Sequence, residues 1–169
     1  MYLYPKPDYK DEKRVTVKLQ KYWDYIRKDI PFASERSIQP SEMESIWENC
    51  FIVKADNSCK KEDYQFKYLG QNIIKAYGED LTGKTLAKIV ATEASHLADK
   101  YELVLARKRP VANEGELHIS KTAVMKYRQI LLPLGDDGVN ITAILGGMSY
   151  KIVENEKKQP FFLRFRGKK

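Results

Sequence analysis

Residues Gly78 to Thr85 read GEDLTGKT, which matches the spacing G-x-x-x-x-G-K-T. In that pattern, amides at a helix N-terminus and one lysine surround the oxygens of a nucleotide phosphate. The chemistry requires a buried parallel strand running into the first glycine and a second strand ending in Asp for magnesium. The segment before Gly78, NIIKAY, has helical character instead. Glu79 and Asp80 place two carboxylates where phosphate would sit, against the single Lys84. Of the apolar runs ending in Asp, ILLPLGDD is broken by Pro133 and CFIVKAD lies upstream. A structural account covers each residue: Gly78 ends a short helix with positive φ, Leu81 dips into the core, Gly83 reverses the chain, and Leu86 and Ile89 re-enter the core. A nucleotide-binding enzyme using Gly78–Thr85, with Lys84 on phosphate, is the alternative reading.

The other reactive side chains form no constellation. Cys50 and Cys59 make no C-x-x-C, and His96 and His118 are distant from both, so zinc spacing is absent. The sequence contains neither G-x-S-x-G nor H-E-x-x-H. His96 adjoins Ser95 on a predicted helix, where consecutive residues face different ways. No catalytic residue and no metal ligand are therefore predicted. The start, MYLYPKPDYKDEKR, lacks the apolar run of a signal peptide, and the longest uncharged run, Gly138–Tyr150, is too short to span a bilayer. The expectation is a cytoplasmic protein with free thiols.

Charge is uneven along the chain. Residues 1–14 and 15–150 each carry a net +1, whereas 151–169 carry +5, so the overall +7 belongs mostly to the end segment and predicts no basic groove across the fold. That segment, KKQPFFLRFRGKK, interleaves Phe161, Phe162 and Phe165 with Arg164, Arg166, Lys168 and Lys169. Such a mixture suits an anionic membrane surface or RNA, or aromatics folded back on the domain.

The elements that must hold these residues follow from periodicity. Leu19, Tyr22, Trp23 and Ile26 share one face of a helix from about Val15 to Lys28, a surface for the protein's own sheet, for a second copy or for a partner. Ser41 with Glu44 predicts a capped short helix that buries Met43, Ile46 and Trp47. Cys50–Asp56 and the alternating EDYQFKYLG predict a strand pair, with Tyr64, Phe66 and Tyr68 on one face and Gln65 and Lys67 on the other. Short and long helices follow at Gln71–Tyr77 and Thr92–Arg107, the latter with Leu97, Tyr101, Val104 and Leu105 as its stripe. Strands at Val111–Ile119, Met125–Leu134 and Ile141–Val153 complete a β2–α–β3 order, which predicts an α+β fold with one antiparallel sheet. A ligand cavity between sheet and helices would use Tyr64, Phe66 and Tyr68, with Arg128, Ile130 and Leu132 from another strand's face and Tyr77 closing one end.

Three separated segments resemble single-domain bacterial PAS proteins: YWDYIRKDIPFASERSIQPSEM (22–43), FKYLGQNIIKAYGEDLTGKTL (66–86) and YRQILLPLGDDGVNITAILGGMSY (127–150). One departure is Lys67, where that family often has an Arg whose bidentate contact a lysine does not copy. The resemblance implies a PAS-like five-stranded antiparallel sheet with helices packed on one face, plus an N-terminal amphipathic helix. It spans residues 15–153, leaving 1–14 as an arm and 154–169 as a tail. It further implies a non-catalytic sensory or protein-interaction module, homodimeric, that signals through a separate partner. No haem or flavin motif is present. The flavin-reactive cysteine of photosensing PAS domains belongs to a helix in mid-fold, whereas Cys50 opens a strand, so no cofactor is predicted.

Overall fold

Leu19, Tyr22 and Trp23 fall on one side of helix α1 (Val15–Arg27) and are all buried. The computed structural model in which they sit describes residues 6–8, 11–87 and 95–154, with the backbone alone for 95–98. Ile89, the predicted helix start at Thr92, the side chains of His96 and Leu97, and residues 155–169 lie outside the described residues. The Tyr22 hydroxyl accepts from the Gln39 amide at 2.9 Å and lies 3.1 Å from a Glu42 carboxylate oxygen. Trp23 Nε1 donates to the Pro133 carbonyl at 2.9 Å. These bonds fasten α1 to the following loop and to the sheet. The helix stops at Lys28, whose φ is 55°.

Three 3-10 turns, Glu35–Ser37, Pro40–Met43 and Trp47–Asn49, lead to the sheet. The expected Ser41–Glu44 capping box does not form, because Pro40 is the first residue of its turn and Gln39 precedes it without a side-chain cap. Proline presets φ at that position, and the Gln39 amide already has Tyr22 as its partner, so Ser41 sits inside the turn. Met43 and Ile46 are buried as expected, and Trp47 packs partly exposed beside them.

The strands are β1 (Cys50–Lys54), β2 (Gln65–Leu69), β3 (Val111–His118), β4 (Ala123–Leu134) and β5 (Ala143–Glu154), with α2 (Gln71–Tyr77) and α3 (Ser95–Arg107) between β2 and β3. They form one antiparallel sheet in the order β2-β1-β5-β4-β3, the α+β arrangement expected. Among the described residues no helix is long and apolar enough to cross a membrane.

Directly opposed residues of an antiparallel pair share a face, so the register assigns each side chain. Cys50 opposes Gly147 and Phe51 opposes Gly146. A Cβ on Gly147 would lie 2.7 Å from Leu19 of α1, and one on Gly146 would lie 2.0 Å from the Phe51 ring. That ring is 6.2 Å from Tyr101 of α3. Helix α1 therefore covers one face and α3 the other, with α2 on the α3 side through Tyr150, whose hydroxyl donates to the Asn72 carbonyl at 2.8 Å. Gly146→Ala is expected to lower unfolding free energy by about 1–3 kcal/mol through overpacking. Urea denaturation reads this, and an unchanged midpoint would mean that the Phe51 ring has room to move aside.

The β4–β5 connection is set by Asp137. Its carboxylate accepts from the amides of Asn140 (2.7 Å) and Val139 (2.8 Å) and from the Asn140 side chain (2.8 Å). These donors, Asn140's amide first, hold its pKa at about 2, below the ordinary 3.8. A depressed carboxylate contributes stability above its unfolded pKa and loses it as pH falls through the folded one. Amide chemical shifts of Val139 and Asn140 should accordingly titrate near pH 2, within the window from 3.8 downward; a midpoint at 3.8 would contradict the bonded loop.

Candidate functional site

The phosphate-loop match is accounted for by backbone bonding. Helix α2 ends at Gly78, in the left-handed region at φ 79°, and its amide donates to the Ile74 carbonyl at 2.9 Å. Asp80 accepts from the Thr82 amide (2.9 Å) and hydroxyl (2.6 Å). The Gly83 amide donates to the Phe66 carbonyl at 2.8 Å and the Lys84 amide to the Leu81 carbonyl at 2.9 Å. Thr85 bridges antiparallel to Gln65, while Leu81 and Leu86 are buried. The amides of Gly78, Thr82, Gly83 and Lys84 are committed within the protein, and a helix, not a parallel strand, enters Gly78. The segment instead covers the outer edge of β2, whose Phe66 amide donates to the Lys84 carbonyl at 3.0 Å.

The predicted cavity residues divide between the two faces. β2 carries a bulge: Ile52 opposes Tyr68, yet Val53 opposes Phe66, leaving Lys67 as the extra residue. Lys67 Nζ reaches both carboxylate oxygens of Glu35 at 2.6 and 2.9 Å. The inserted residue reverses the alternation, so Tyr68 does not share a face with Tyr64 and Phe66 as expected. It stacks on Trp47 at 4.5 Å and donates to that residue's carbonyl at 3.2 Å. Arg128, Ile130 and Leu132 oppose Ser149, Gly147 and Leu145, which places all three on the α1 face. Ile130 and Leu132 are core there, and Arg128 is an exposed partner of Glu114 at 3.0 Å. Only Tyr64, Phe66 and Tyr77 of the predicted set remain on the α3 side, the Phe66 and Tyr77 rings being 6.0 Å apart.

What the α3 face does assemble is a buried polar cluster of Tyr77, Tyr101, Tyr127, Asn113 and Gln129. Tyr127 opposes Gly115, and its ring occupies the space a Cβ there would need. Gln129, fully buried on β4, donates from Nε2 to Asn113 Oδ1 at 3.0 Å. Tyr101 is completely buried, and its hydroxyl has no hydrogen-bond partner. The Tyr77 hydroxyl is close enough for the pair to influence each other's ionisation through a weak contact in which Tyr101 is on the donor side, short of a regular hydrogen bond. Burial first, and then these phenol neighbours, push the Tyr101 pKa well above its ordinary value, and burial takes Tyr77 to about 12. The cluster is thus neutral and protonated at physiological pH, with one donor left over.

Sequence periodicity missed Gln129 because every residue from Gln129 to Leu134 is buried, so hydrophobicity does not distinguish the two parities there; Tyr127, between the exposed Lys126 and Arg128, was legible by alternation and was passed over with its face, and Asn113 lies on half-buried β3. The weak signal available was a glutamine inside an apolar run.

A profile of the PAS domain family matches residues 12–149. The chain belongs to the PAS domain family. Among solved structures, the PAS domain of Bordetella pertussis BvgS is similar, with 21% identity over 71% of this chain and 85% of that one and a TM-score of 0.42. A light-oxygen-voltage domain studied with a flavin analogue gives 16% identity, 70% and 86% coverage and a TM-score of 0.45. The Aureochrome1 LOV domain gives 12%, 78% and 99%, and 0.46. No curated protein matches the chain.

Within this PAS domain the residues expected to face a second copy or partner are turned inward. Leu19, Tyr22 and Trp23 are core, and Ile26 packs against that core. The helix satisfies its apolar stripe on its own sheet, so a contact between copies through α1 would use the opposite surface. Cys50 is buried at the start of β1 with its thiol on the Ile46 carbonyl at 3.3 Å, and burial pushes its pKa up. His118 and Cys59 are exposed. Two substitutions test the loop assignment. Gly78→Ala, forced into positive φ, should cost about 1 kcal/mol, and Lys84→Ala, on the surface, less than about 0.5 kcal/mol. Calorimetric titration with ATP and GTP should show no heat of binding in either variant or the parent; a binding isotherm abolished by Lys84→Ala would restore the nucleotide reading.

Proposed function

We propose that this PAS domain is a non-catalytic sensor that takes up a small neutral ligand between α3 and the sheet, where the ligand presents a hydrogen-bond acceptor to Tyr101. The observation that carries this reading is the completely buried Tyr101 hydroxyl without a partner. A buried donor left unsatisfied costs about 1–3 kcal/mol, and an acceptor arriving in the same layer recovers that cost. A carbonyl or ether suits the cluster better than a carboxylate, since Tyr77, Tyr101, Tyr127, Asn113 and Gln129 offer no positive charge to a buried anion.

Occupancy then favours one placement of α3 and α2 against the sheet over another. The shift is read by a separate signalling protein in the cytoplasm of a bacterium, and two copies associate through the outward surface of α1. The family assignment supports the sensory role, and the outward-facing Gln20, Lys21 and Asp24 are the α1 residues left for such a contact.

Tyr101→Phe is the test. Without ligand, the variant should be as stable as the parent or up to about 1–3 kcal/mol more stable, because the orphan donor is removed without a cavity. Carbonyl compounds that raise the melting temperature of the parent should bind the variant about tenfold more weakly. A destabilised variant would show that the hydroxyl already has a partner. Absence of any co-purifying compound in native mass spectrometry, together with no thermal shift across a carbonyl panel, would sink the reading.

A further inference from the structure

Helix α1 covers its face of the sheet as far as the row through Gly147. A Cβ there would lie 2.7 Å from Leu19 and 3.4 Å from Val15, the first residue of the helix. The next two rows on that face run Glu114–Arg128–Ser149 and Glu116–Lys126–Lys151 across β3, β4 and β5. These six residues line a concavity of about 700 Å³, the size of a small-molecule cleft. Ser149 is half-buried and the other five are exposed. Tyr127, between the two rows, turns its ring the other way, against Gly115 on the α3 face. The concavity is therefore on the opposite side of the sheet from Tyr101.

Charge is sorted across its floor. β3 contributes both carboxylates, and β4 and β5 contribute three cations. Glu114 Oε2 accepts from Arg128 Nε at 3.0 Å, and Glu116 Oε1 lies 3.4 Å from Lys126 Nζ. Lys151 stands directly opposite Lys126, a like-charge pairing that is destabilising until an anion joins it. Among the described residues, the Lys151 ammonium and the Ser149 hydroxyl have no hydrogen-bond partner, and Arg128 leaves its terminal nitrogens unused. The bond at Nε fixes the plane of the guanidinium and presents those nitrogens as a fork.

The unused donors converge. Arg128 opposes Ser149, and Lys151 lies on the cross-strand diagonal from Arg128, about 7–8 Å away. One hydroxyl and two positive charges thus surround a single point of the floor. A carboxylate has two oxygens and one charge for them, whereas a phosphate monoester brings three terminal oxygens and close to two charges. The concavity is larger than a phosphate, and its β3 side still has Glu114 Oε1 and Glu116 Oε2 as acceptors for hydroxyl groups. We propose that this concavity binds a hydroxyl-bearing phosphate monoester, with the phosphate on Arg128, Ser149 and Lys151 and the hydroxyls toward Glu114 and Glu116. It is a second site, independent of the neutral ligand assigned to the α3 layer.

Titration of the full chain with myo-inositol monophosphate, read by amide chemical shifts, tests the proposal. The amides of Arg128, Ser149 and Lys151 should shift and saturate. Inorganic phosphate should bind at least about tenfold more weakly, and unphosphorylated myo-inositol should not bind. Arg128→Gln and Lys151→Gln should each weaken the monophosphate at least about tenfold. Lys75→Gln, which removes the same charge from the exposed side of α2, should leave its affinity unchanged. The amides of β1 and α2 report that each variant stays folded. Phosphatidylcholine vesicles carrying phosphatidylinositol monophosphate separate the sources of the ester. Co-sedimentation abolished by Lys151→Gln supports the proposal with a lipid headgroup as ligand, and saturation by the soluble ester alone supports it with a free one. Equal affinity for inorganic phosphate overturns the choice of a hydroxyl-bearing ester. An equal loss in Lys75→Gln overturns the site in favour of attraction to overall charge. Shifts that are absent at millimolar ester, or confined to the α3 face, overturn it outright.

Discussion

The pairing of β1 with β5 is the contact on which the rest of the molecule depends. It joins the β1–β2 pair, made early in the chain, to the β3–β4–β5 meander made late, and among the described residues no other strand pairing joins those halves into one sheet. At its centre stand Gly146 and Gly147. On one side Leu19 presses in and on the other the far end of the Phe51 ring does, each at a distance that a side chain on the glycine would forbid. The two-sided close approach lets α1 and α3 both reach the sheet at the same place. Interiors are packed to crystal-like density, so such a double contact is paid for in specificity of register: a slip of one residue would bring Leu145 or Met148 where only a hydrogen fits.

With both faces occupied, polar groups on the sheet have few outlets. The α1 face solves this by being apolar at its middle and charged where it leaves the helix, at Arg128, Glu114, Lys126 and Glu116. The α3 face instead keeps amides and phenols inside. Gln129 donates to Asn113, whereas the Tyr101 hydroxyl has no regular partner. A phenylalanine would fill nearly the same volume without that cost. Among the described residues the Tyr101 hydroxyl is the fully buried side-chain polar atom without a regular partner.

Edges carry the same logic in one dimension. In the loop Gly78–Thr85 the Gly83 amide and the Lys84 carbonyl bond to β2, and the amides of Gly78, Thr82 and Lys84 bond within the loop and its helix, so the segment serves as a shield rather than a phosphate cradle. Amides are valuable to an anion only while they lack carbonyl partners. Asp80 and Asp137 act alike in their turns, as carboxylates that stand in for the missing acceptors of a reversing chain. The bulge at Lys67 has a related effect: the extra residue sends its ammonium to Glu35, tying the β2 edge to the segment after α1.

Much of this was legible from the chain alone, because helix faces and turns are set by neighbours a few residues apart. The apolar stripe of α1, the glycine that ends α2, the five strands and the absence of a parallel strand before Gly78 all follow from periods of 3.6 and 2 and from where glycine and proline fall. The cavity assignment failed where local pattern carries no information. Tyr68 was placed by alternation, and a single inserted residue reversed it; Ile130 and Leu132 were chosen over Gln129 and Leu131 in a run buried on both faces, and Arg128, exposed just before it, was carried along with them. Parity in such strands is decided by which residue of a distant strand stands opposite, and whether α1 met its own sheet or another molecule was decided by the glycines waiting for it in β5. Both are long-range pairings, made only when the chain closes on itself.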